Sequence, residues 1–400
     1  MTIAASSQPK LTIGLLWHSP NSANLGIGAL TLGNIALARR AAEIAGVTPQ
    51  FEIIGFADPG KANYVEGDDV RVTALTGKAM LPGGALWKAL DRCDVVLDIG
   101  GGDSFTDIYG AKRLGFLWSS KVAARLLGKP LVLSPQTIGP FDKPWARMMA
   151  AYILGRAQKV FARDPQSLAA LNELAPDASA ALATDVAFAM PFERVHHAEG
   201  IHVGINVSGL LFNGGYTGKN EFGMDVDYAA FTRKLIAALS AKPGVSVHLV
   251  PHVLSDELPQ DDDRSAIRTL SAEFPGTIAA PDFTGPVEAK SYIAGLDMLI
   301  GGRMHACIAA HSSGVAVVPI AYSRKFSGLF EGILGYPHLV PVKGMGTDEA
   351  VQFVLGAFDR RAELAAACEA SRPRVDALLG GYVRDLAPIF SAAASGRRGR

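Results

Sequence analysis

Gly301-Gly302-Arg303-Met304-His305 sets a permanent cation and a titratable imidazole two positions apart, where a glycine turn enters a helical stretch. A guanidinium grips a carboxylate or phosphate through paired hydrogen bonds, and an imidazole moves protons near neutral pH. The pair therefore suits an anionic substrate that must gain a proton. Tyr322-Ser323-Arg324-Lys325 follows the next apolar run, so Tyr322 and Lys325 join the same rim. His252, after Pro251 at a strand end, is a further candidate for ligand contact. His311 falls on another face of the helix that carries His305 and is read as packing. The acids of Asp261-Asp262-Asp263 point in different directions and are read as helix-start charge rather than as a metal site.

The first half of the chain offers a second set. Three glycines end a strand in Gly100-Gly101-Gly102-Asp103-Ser104-Phe105, so a ligand can approach the backbone at Gly101 and Gly102 while Asp103 and Ser104 supply hydrogen bonds. Ser134-Pro135-Gln136-Thr137-Ile138-Gly139-Pro140 is another strand-end loop, with Gln136 and Thr137 as partners for sugar hydroxyls. Arg163 follows a strand and brings a guanidinium to this rim, with a surface ion pair to the adjacent Asp164 as the competing reading. Asn24, in the loop after the first strand, and Asn206, in the first strand of the second half, complete the candidate substrate contacts. The loop Phe212-Asn213-Gly214-Gly215-Tyr216-Thr217-Gly218 is read either as one that shapes substrate choice or as a plain surface loop. The glycines of Asn24-Leu25-Gly26-Ile27-Gly28 do not keep dinucleotide-binding spacing, and serine-hydrolase, zincin, P-loop and EF-hand patterns are absent from the sequence.

These residues need strands that end beneath them. Apolar runs at 11–17, 51–56, 94–99, 130–134 and 159–163 alternate with helical spacing at 29–45, 117–127 and 167–174. Strands at 202–207, 245–250, 296–300 and 315–320 alternate with helices at 228–239 and 263–274, and 291–294 belongs to another helix. Buried strands separated by helices predict parallel sheets covered on both faces. Asp94-Val95-Val96-Leu97-Asp98-Ile99-Gly100-Gly101 and Asp297-Met298-Leu299-Ile300-Gly301-Gly302 repeat one pattern about half a chain apart. The expected fold is α/β, with two similar domains face to face and a C-terminal helical segment. The expected boundaries are 1–190 for the N-terminal domain, 191–200 for a linker, 201–345 for the C-terminal domain, and 346–400 for closing helices and a basic tail.

Composition narrows the class. Among 400 residues, 49% are hydrophobic and 38 Lys+Arg balance 38 Asp+Glu, which excludes a disordered chain and argues against nucleic acid as a partner. Cys93, Cys307 and Cys368 lie too far apart in sequence for a local disulfide framework or CxxC site, as expected in a reducing, cytoplasmic setting. No signal peptide or membrane span is expected, so membrane contact is at most peripheral, and the Gly396–Arg400 tail could touch anionic lipid.

Taken in order, GGGDSF, SPQTIGPF, FARD, ATDVAF, VGINVS and GGRMHACIAAHSSGVAVVPIAYSRKF make the chain resemble the polysaccharide pyruvyl transferase family from about Thr12 to Phe330. The resemblance implies two Rossmann-like domains facing across a cleft in a GT-B-like arrangement, the acceptor on the side of 1–190 and the anionic donor on the side of 201–345, with phosphoenolpyruvate as co-substrate, a sugar acceptor and a pyruvate ketal as product, and no cofactor or metal. It assigns the basic site to Arg163 and Arg303, the proton donor to His305 and a weaker match to Lys325. Ile27-Gly28 stands where family members often carry an acid. A lipid-linked acceptor at the inner face of the membrane is compatible with this picture. The alternatives are a GT-B glycosyltransferase using a nucleotide sugar and a non-catalytic glycan- or anion-binding protein.

Overall fold

The computed structural model describes residues 8–396. The described chain divides into two compact units, unit 1 comprising 8–22, 30–190 and 376–396 and unit 2 comprising 23–29 and 191–375.

In unit 1, β1 (Lys10–Leu16), β2 (Thr48–Gly55), β3 (Val70–Ala74), β4 (Val95–Asp98), β5 (Leu131–Gln136), β6 (Lys159–Ala162) and β7 (Ala180–Leu182) form a parallel sheet. Its order is β3-β2-β1-β4-β5-β6-β7. Parallel neighbours need crossovers. The α-helices in this part of the chain are α1 (Leu25–Ala45), α2 (Ala85–Arg92), α3 (Ala111–Leu126), α4 (Pro144–Leu154) and α5 (Pro165–Leu174). The first turn of α1, up to Ala29, belongs to unit 2.

In unit 2, β8 (Ile201–Asn206), β9 (Val245–Val250), β10 (Ile278–Ala279), β11 (Met298–Gly301), β12 (Ala316–Ala321) and β13 (Val340–Pro341) are ordered β10-β9-β8-β11-β12-β13, again parallel. Between and after them run α6 (Gly209–Phe212), α7 (Tyr228–Ser240), α8 (Asp263–Glu273), α9 (Pro286–Ala294), α10 (Met304–Ser312), α11 (Arg324–Ser327) and α12 (Thr347–Asp359). Each sheet grows outward from its first strand and then restarts on that strand's other side, which places switch points between β1 and β4 and between β8 and β11. Ligands of doubly wound sheets bind at the carboxyl ends of the strands flanking such a point.

Every residue of β4 and of β11 is buried, as central strands covered on both faces must be. Proline occupies the first helical turn of α4, α5 and α9, where its missing N–H costs no ladder bond. The helix expected from Ala29 begins at Leu25, because the Asn24 side chain accepts the Gly26 N–H at 3.0 Å and supplies the start.

The long last helix, α13 (Arg361–Gly396), is shared between the units rather than standing as a separate closing segment. In unit 2 its Ser371 hydroxyl lies 3.2 Å from His311 Nε2, and His311 packs edge-on to Phe330 and Tyr336, the packing role expected of it. In unit 1 its Tyr382 hydroxyl donates to Asn34 Oδ1 at 2.8 Å and sits 2.9 Å from Ser134 Oγ, with its ring edge-on to Phe161. The basic tail beyond Gly396 lies outside the described residues. Among the described residues no helix is long and apolar enough to cross a membrane.

Candidate functional site

At the unit 2 switch point, Asn206 ends β8 and is fully buried. Its Nδ2 donates to the Val250 carbonyl at 2.9 Å and its Oδ1 accepts the Arg303 N–H at 2.8 Å. The expectation of a substrate contact is corrected here: Asn206 clamps the ends of β8 and β9 to the start of α10, with no surface left for a ligand.

Arg303 precedes α10, and its guanidinium is held by two carboxylates rather than lying bare. Nη2 and Nε donate to Asp263 Oδ1 at 2.6 and 3.2 Å, Nη2 also donates to the Asp261 carbonyl at 2.7 Å, and Nη1 lies 2.8 Å from Asp261 Oδ1. Asp263, the first residue of α8, also accepts the backbone N–H of Gly209 at 2.8 Å, His252 at 2.8 Å and Val253 at 2.9 Å. The reading of the acidic triplet as helix-start charge is thus too small. The divergent directions of the three acids send Asp263 and Asp261 to Arg303 and Asp262 to Arg264, the last at 2.7 Å. Burial opposes the Arg303 charge, but the Asp263 and Asp261 carboxylates outweigh it and hold the guanidinium above its ordinary value.

His305 sits in the first turn of α10 and is half-buried. The first turn of α1 forms a wall beside it: a Cβ built on Gly26 would lie 2.3 Å from His305 Nδ1. That turn is docked by an antiparallel bridge between Asn24 and Val253, by Leu25 N–H to the His252 carbonyl at 3.1 Å and by Leu254 N–H to the Ala23 carbonyl at 2.9 Å. Asn24 is therefore brought to His305, in a role set by capping and docking. His252 is buried, and burial pushes it down to about 3, with His305 and Arg303 acting in the same direction. It stands as a neutral imidazole beside the other two.

Tyr322 directly follows β12, and Lys325 lies on α11. Burial raises the Tyr216 hydroxyl above its ordinary value, and Asp261, Arg303, Tyr322 and Lys325 all lie within Coulombic range of it. The Lys325 ammonium is 5.9 Å from the Tyr322 ring, which packs on Phe222 and Phe326.

In unit 1, Gly100, Gly101 and Gly102 have φ of 54°, 63° and 90°, a left-handed run open only to glycine without strain. The run lets Gln136 come in beneath the loop, where a Cβ on Gly100 would meet Gln136 Oε1 at 2.4 Å. Gln136 is fully buried, and its Nε2 donates to the carbonyls of Asp98 at 2.9 Å and Ser134 at 3.2 Å. It supports the loop from inside, which corrects its expected place among sugar contacts. Thr137 is nearly buried, and its N–H ties to the Gly102 carbonyl at 2.8 Å. Ser104 Oγ accepts from Arg113 Nη2 at 2.6 Å, and Asp103 accepts from the Tyr109 hydroxyl at 3.2 Å, with Arg113 over the Tyr109 ring.

Arg163 is buried with its Nη1 3.1 Å from Asp185 Oδ2 and close to Gly102. The competing surface pair with Asp164 is corrected: Asp164 turns away to cap α5 through the Ser167 N–H at 2.7 Å. Under the same loop, Asp98 and Lys121 form a fully buried ion pair at 2.7 Å.

Sequence reasoning missed Gly26, Asp261, Asp263 and Arg113 as site-forming residues. Arg113 lies in a helix start with no motif around it, and the other three act through contacts distant in sequence.

Residues 33–324 match the family described as Polysaccharide pyruvyl transferase. The amylovoran biosynthesis protein AmsJ of Erwinia amylovora is 23% identical over 300 residues, spanning 69% of this chain and 68% of that protein. Among solved structures, sucrose-phosphate synthase from Thermosynechococcus elongatus superposes with a TM-score of 0.55 at 13% identity, covering 96% of this chain and all of that one. UDP-GlcNAc 2-epimerase from Neisseria meningitidis, bound to UDP-GlcNAc, gives 0.57 at 12% identity, covering 94% and 99%. At such identities the likeness concerns the fold, which is GT-B-like. The family match runs from within α1 through most of both sheets to the start of α11, and over that span the chain belongs to the polysaccharide pyruvyl transferase family.

Proposed function

We propose that this transferase moves the pyruvyl group of phosphoenolpyruvate to two hydroxyls of a sugar, in a polysaccharide or its precursor, forming a ketal and releasing phosphate. The observation that carries the reading is the meeting of Arg303 and His305 at the β8/β11 switch point in a chain of this family. Phosphoenolpyruvate brings a carboxylate and a phosphate, and Arg303 with Lys325 supplies cations to orient them. Asp263 is locked by three backbone donors, whereas Asp261 is the partner of Arg303 that an incoming anion can displace from Nη1.

His305, as imidazolium, gives its proton to the methylene carbon and makes C2 electrophilic. One sugar hydroxyl adds at C2 and its proton restores His305. Phosphate then leaves C2, and the second hydroxyl closes the ketal, its proton departing with phosphate. The chemistry calls on co-substrate rather than cofactor, and phosphoenolpyruvate as donor puts the reaction in the cytoplasm, compatible with a lipid-linked acceptor at the inner membrane face. Arg163 is proposed as the second arginine of the family pattern.

The test is incubation of the purified protein with phosphoenolpyruvate and a panel of nucleotide-linked, lipid-linked and aryl glycosides. A mass gain of one pyruvyl unit with phosphate release, lost in His305→Ala, supports the reading. No gain, with phosphoenolpyruvate leaving Tm unshifted, rejects it. A second reading, transfer from a nucleotide sugar, is favoured by the fold shared with the UDP-GlcNAc-bound epimerase. Sugar transfer or hydrolysis of a nucleotide sugar without use of phosphoenolpyruvate would select it.

A further inference from the structure

Away from the switch point, three histidines of unit 2 converge. His202 lies on β8 and His248 on β9, where the register pairs His202 with Ser246 and Gly204 with His248. His202 and Gly204 share a face of β8, so the two imidazoles project from the same side of the sheet, diagonally placed across a position without a side chain. His197, from the 191–200 segment, has its ring centroid 5.0 Å from that of His202 and 4.9 Å from that of His248, both tilted, and Tyr292 of α9 closes the group. One ring nitrogen from each histidine lies within 4.8 Å of the other two.

We propose that His197, His202 and His248 form a binding site for a divalent transition metal ion of the zinc class. Three imidazoles suit Zn²⁺, Co²⁺ or Ni²⁺, with water in the remaining position. The outer partners that such ligands need are already built. His202 Nε2 donates to the Ala198 carbonyl at 2.8 Å, which leaves Nδ1 as its lone-pair nitrogen. His248 Nδ1 is 2.6 Å from the Tyr292 hydroxyl, and its Nε2 faces His202 Nδ1 at 2.9 Å. His197 Nε2 is 3.4 Å from the Tyr292 carbonyl, so Nδ1 is the nitrogen left to coordinate. The Asp297 carboxylate accepts the backbone N–H of His202 at 2.7 Å and adds negative potential beside the three rings.

Without an ion, the rings make a chain: the Tyr292 hydroxyl donates to His248 Nδ1, and His248 Nε2–H donates to His202 Nδ1. With an ion, His248 changes tautomer. Its proton moves to Nδ1 and donates to Tyr292 Oη, which frees Nε2 for the metal with no net change in protonation. Ligands at about 2.1 Å in a tetrahedral set stand about 3.4 Å apart, so the His202–His248 pair opens by about half an ångström while His197 moves in. His197 is half-buried on a segment outside the sheet, which gives the ion a way in and the ring room to move. The bound ion would fasten the 191–200 segment to its own sheet, alongside the Val195 N–H to Ser291 carbonyl bond at 3.1 Å and the Arg194 to Ser313 carbonyl bond at 2.7 Å.

The experiment strips the full chain with a chelator and titrates it with Co²⁺ and, in competition with a chromophoric chelator, with Zn²⁺. Intense tetrahedral Co²⁺ bands are expected, lost in His248→Gln and weakened in His197→Ala, but unchanged in His196→Ala. Tyr292→Phe keeps the ring and removes the outer hydroxyl, so Zn²⁺ affinity should fall about 10- to 100-fold with the circular dichroism spectrum unaltered. Absence of tetrahedral bands, or binding equal in wild type, His197→Ala and Tyr292→Phe, overturns the proposal. The latter two variants alter a partly exposed ring and a single hydroxyl, so the test stands even where His248→Gln fails to fold.

Discussion

Replacing Gly26 by Ala perturbs the proposed proton donor without touching its side chain. The backbone at Gly26 lies in the first turn of α1 and is not left-handed, so alanine meets no conformational strain there and gains helix propensity of up to about 1 kcal/mol. The new Cβ, however, would stand 2.3 Å from His305 Nδ1 and 2.8 Å from its Cγ, where ordinary contact begins near 3.4 Å. Either the imidazole retreats by about 1 Å or the α1 turn does, and that turn is held by the Leu25 to His252 bond and the Asn24–Val253 bridge. A displacement of about 1 Å at a reacting group costs about 100-fold in rate. The assay is kcat/KM for phosphate release from phosphoenolpyruvate with acceptor, beside Tm. The expected outcome is a loss of about 100-fold with Tm unchanged or raised. Combining Gly26→Ala with His305→Ala should be no worse than His305→Ala alone, because both act through one ring. Activity within about twofold of wild type, or a loss that tracks a fall in Tm, would refute the geometry.

Other outcomes follow from named contacts. Asp261→Ala removes the displaceable carboxylate from Arg303, and since charge-assisted hydrogen bonds are worth about 1.5–3 kcal/mol, phosphoenolpyruvate should bind about 10- to 100-fold more tightly, as read by calorimetry. Asp263→Ala leaves a buried guanidinium and three backbone donors without their acceptor, and should cost about 3–5 kcal/mol in urea unfolding, far more than Asp261→Ala. Lys290 is buried on α9, and burial, with Arg372 adding to it, pushes its ammonium from 10.5 down to about 7. Between those values the unfolded chain binds the proton and the folded chain does not, so this residue makes stability rise with pH across the window, by at most about 5 kcal/mol. Lys290→Met should remove that slope and be more stable than wild type at and below pH 7, as measured by unfolding midpoints along the pH series.

The central strands were legible because burial on both faces writes itself as an uninterrupted apolar run, as in Val95-Val96-Leu97 and Met298-Leu299-Ile300. Edge strands carry no such mark: β3, β7 and β10 are mostly half-buried or exposed, and none stood out from its surroundings. Helix α4 also went unread, since its apolar residues follow a proline-rich loop and two of its large side chains, Met148 and Tyr152, face solvent.

For the candidate sites, residue type and position after a strand singled out Arg303, His305, Tyr322 and Lys325 in unit 2 and Arg163 in unit 1 as candidates, because a doubly wound sheet must present its strand-end loops on one edge. What those residues touch was decided by tertiary structure alone. Arg303 is charge-balanced by Asp263 and Asp261 through the approach of α8, and His305 is walled by Gly26 from a segment far away in sequence. Asn206 and Gln136 look like ligand contacts in the chain and are buried clamps in the fold. The physical reason is that periodicity and residue chemistry are local properties of the chain, whereas a hydrogen bond or ion pair is set by distances of a few ångströms between segments that only packing brings together.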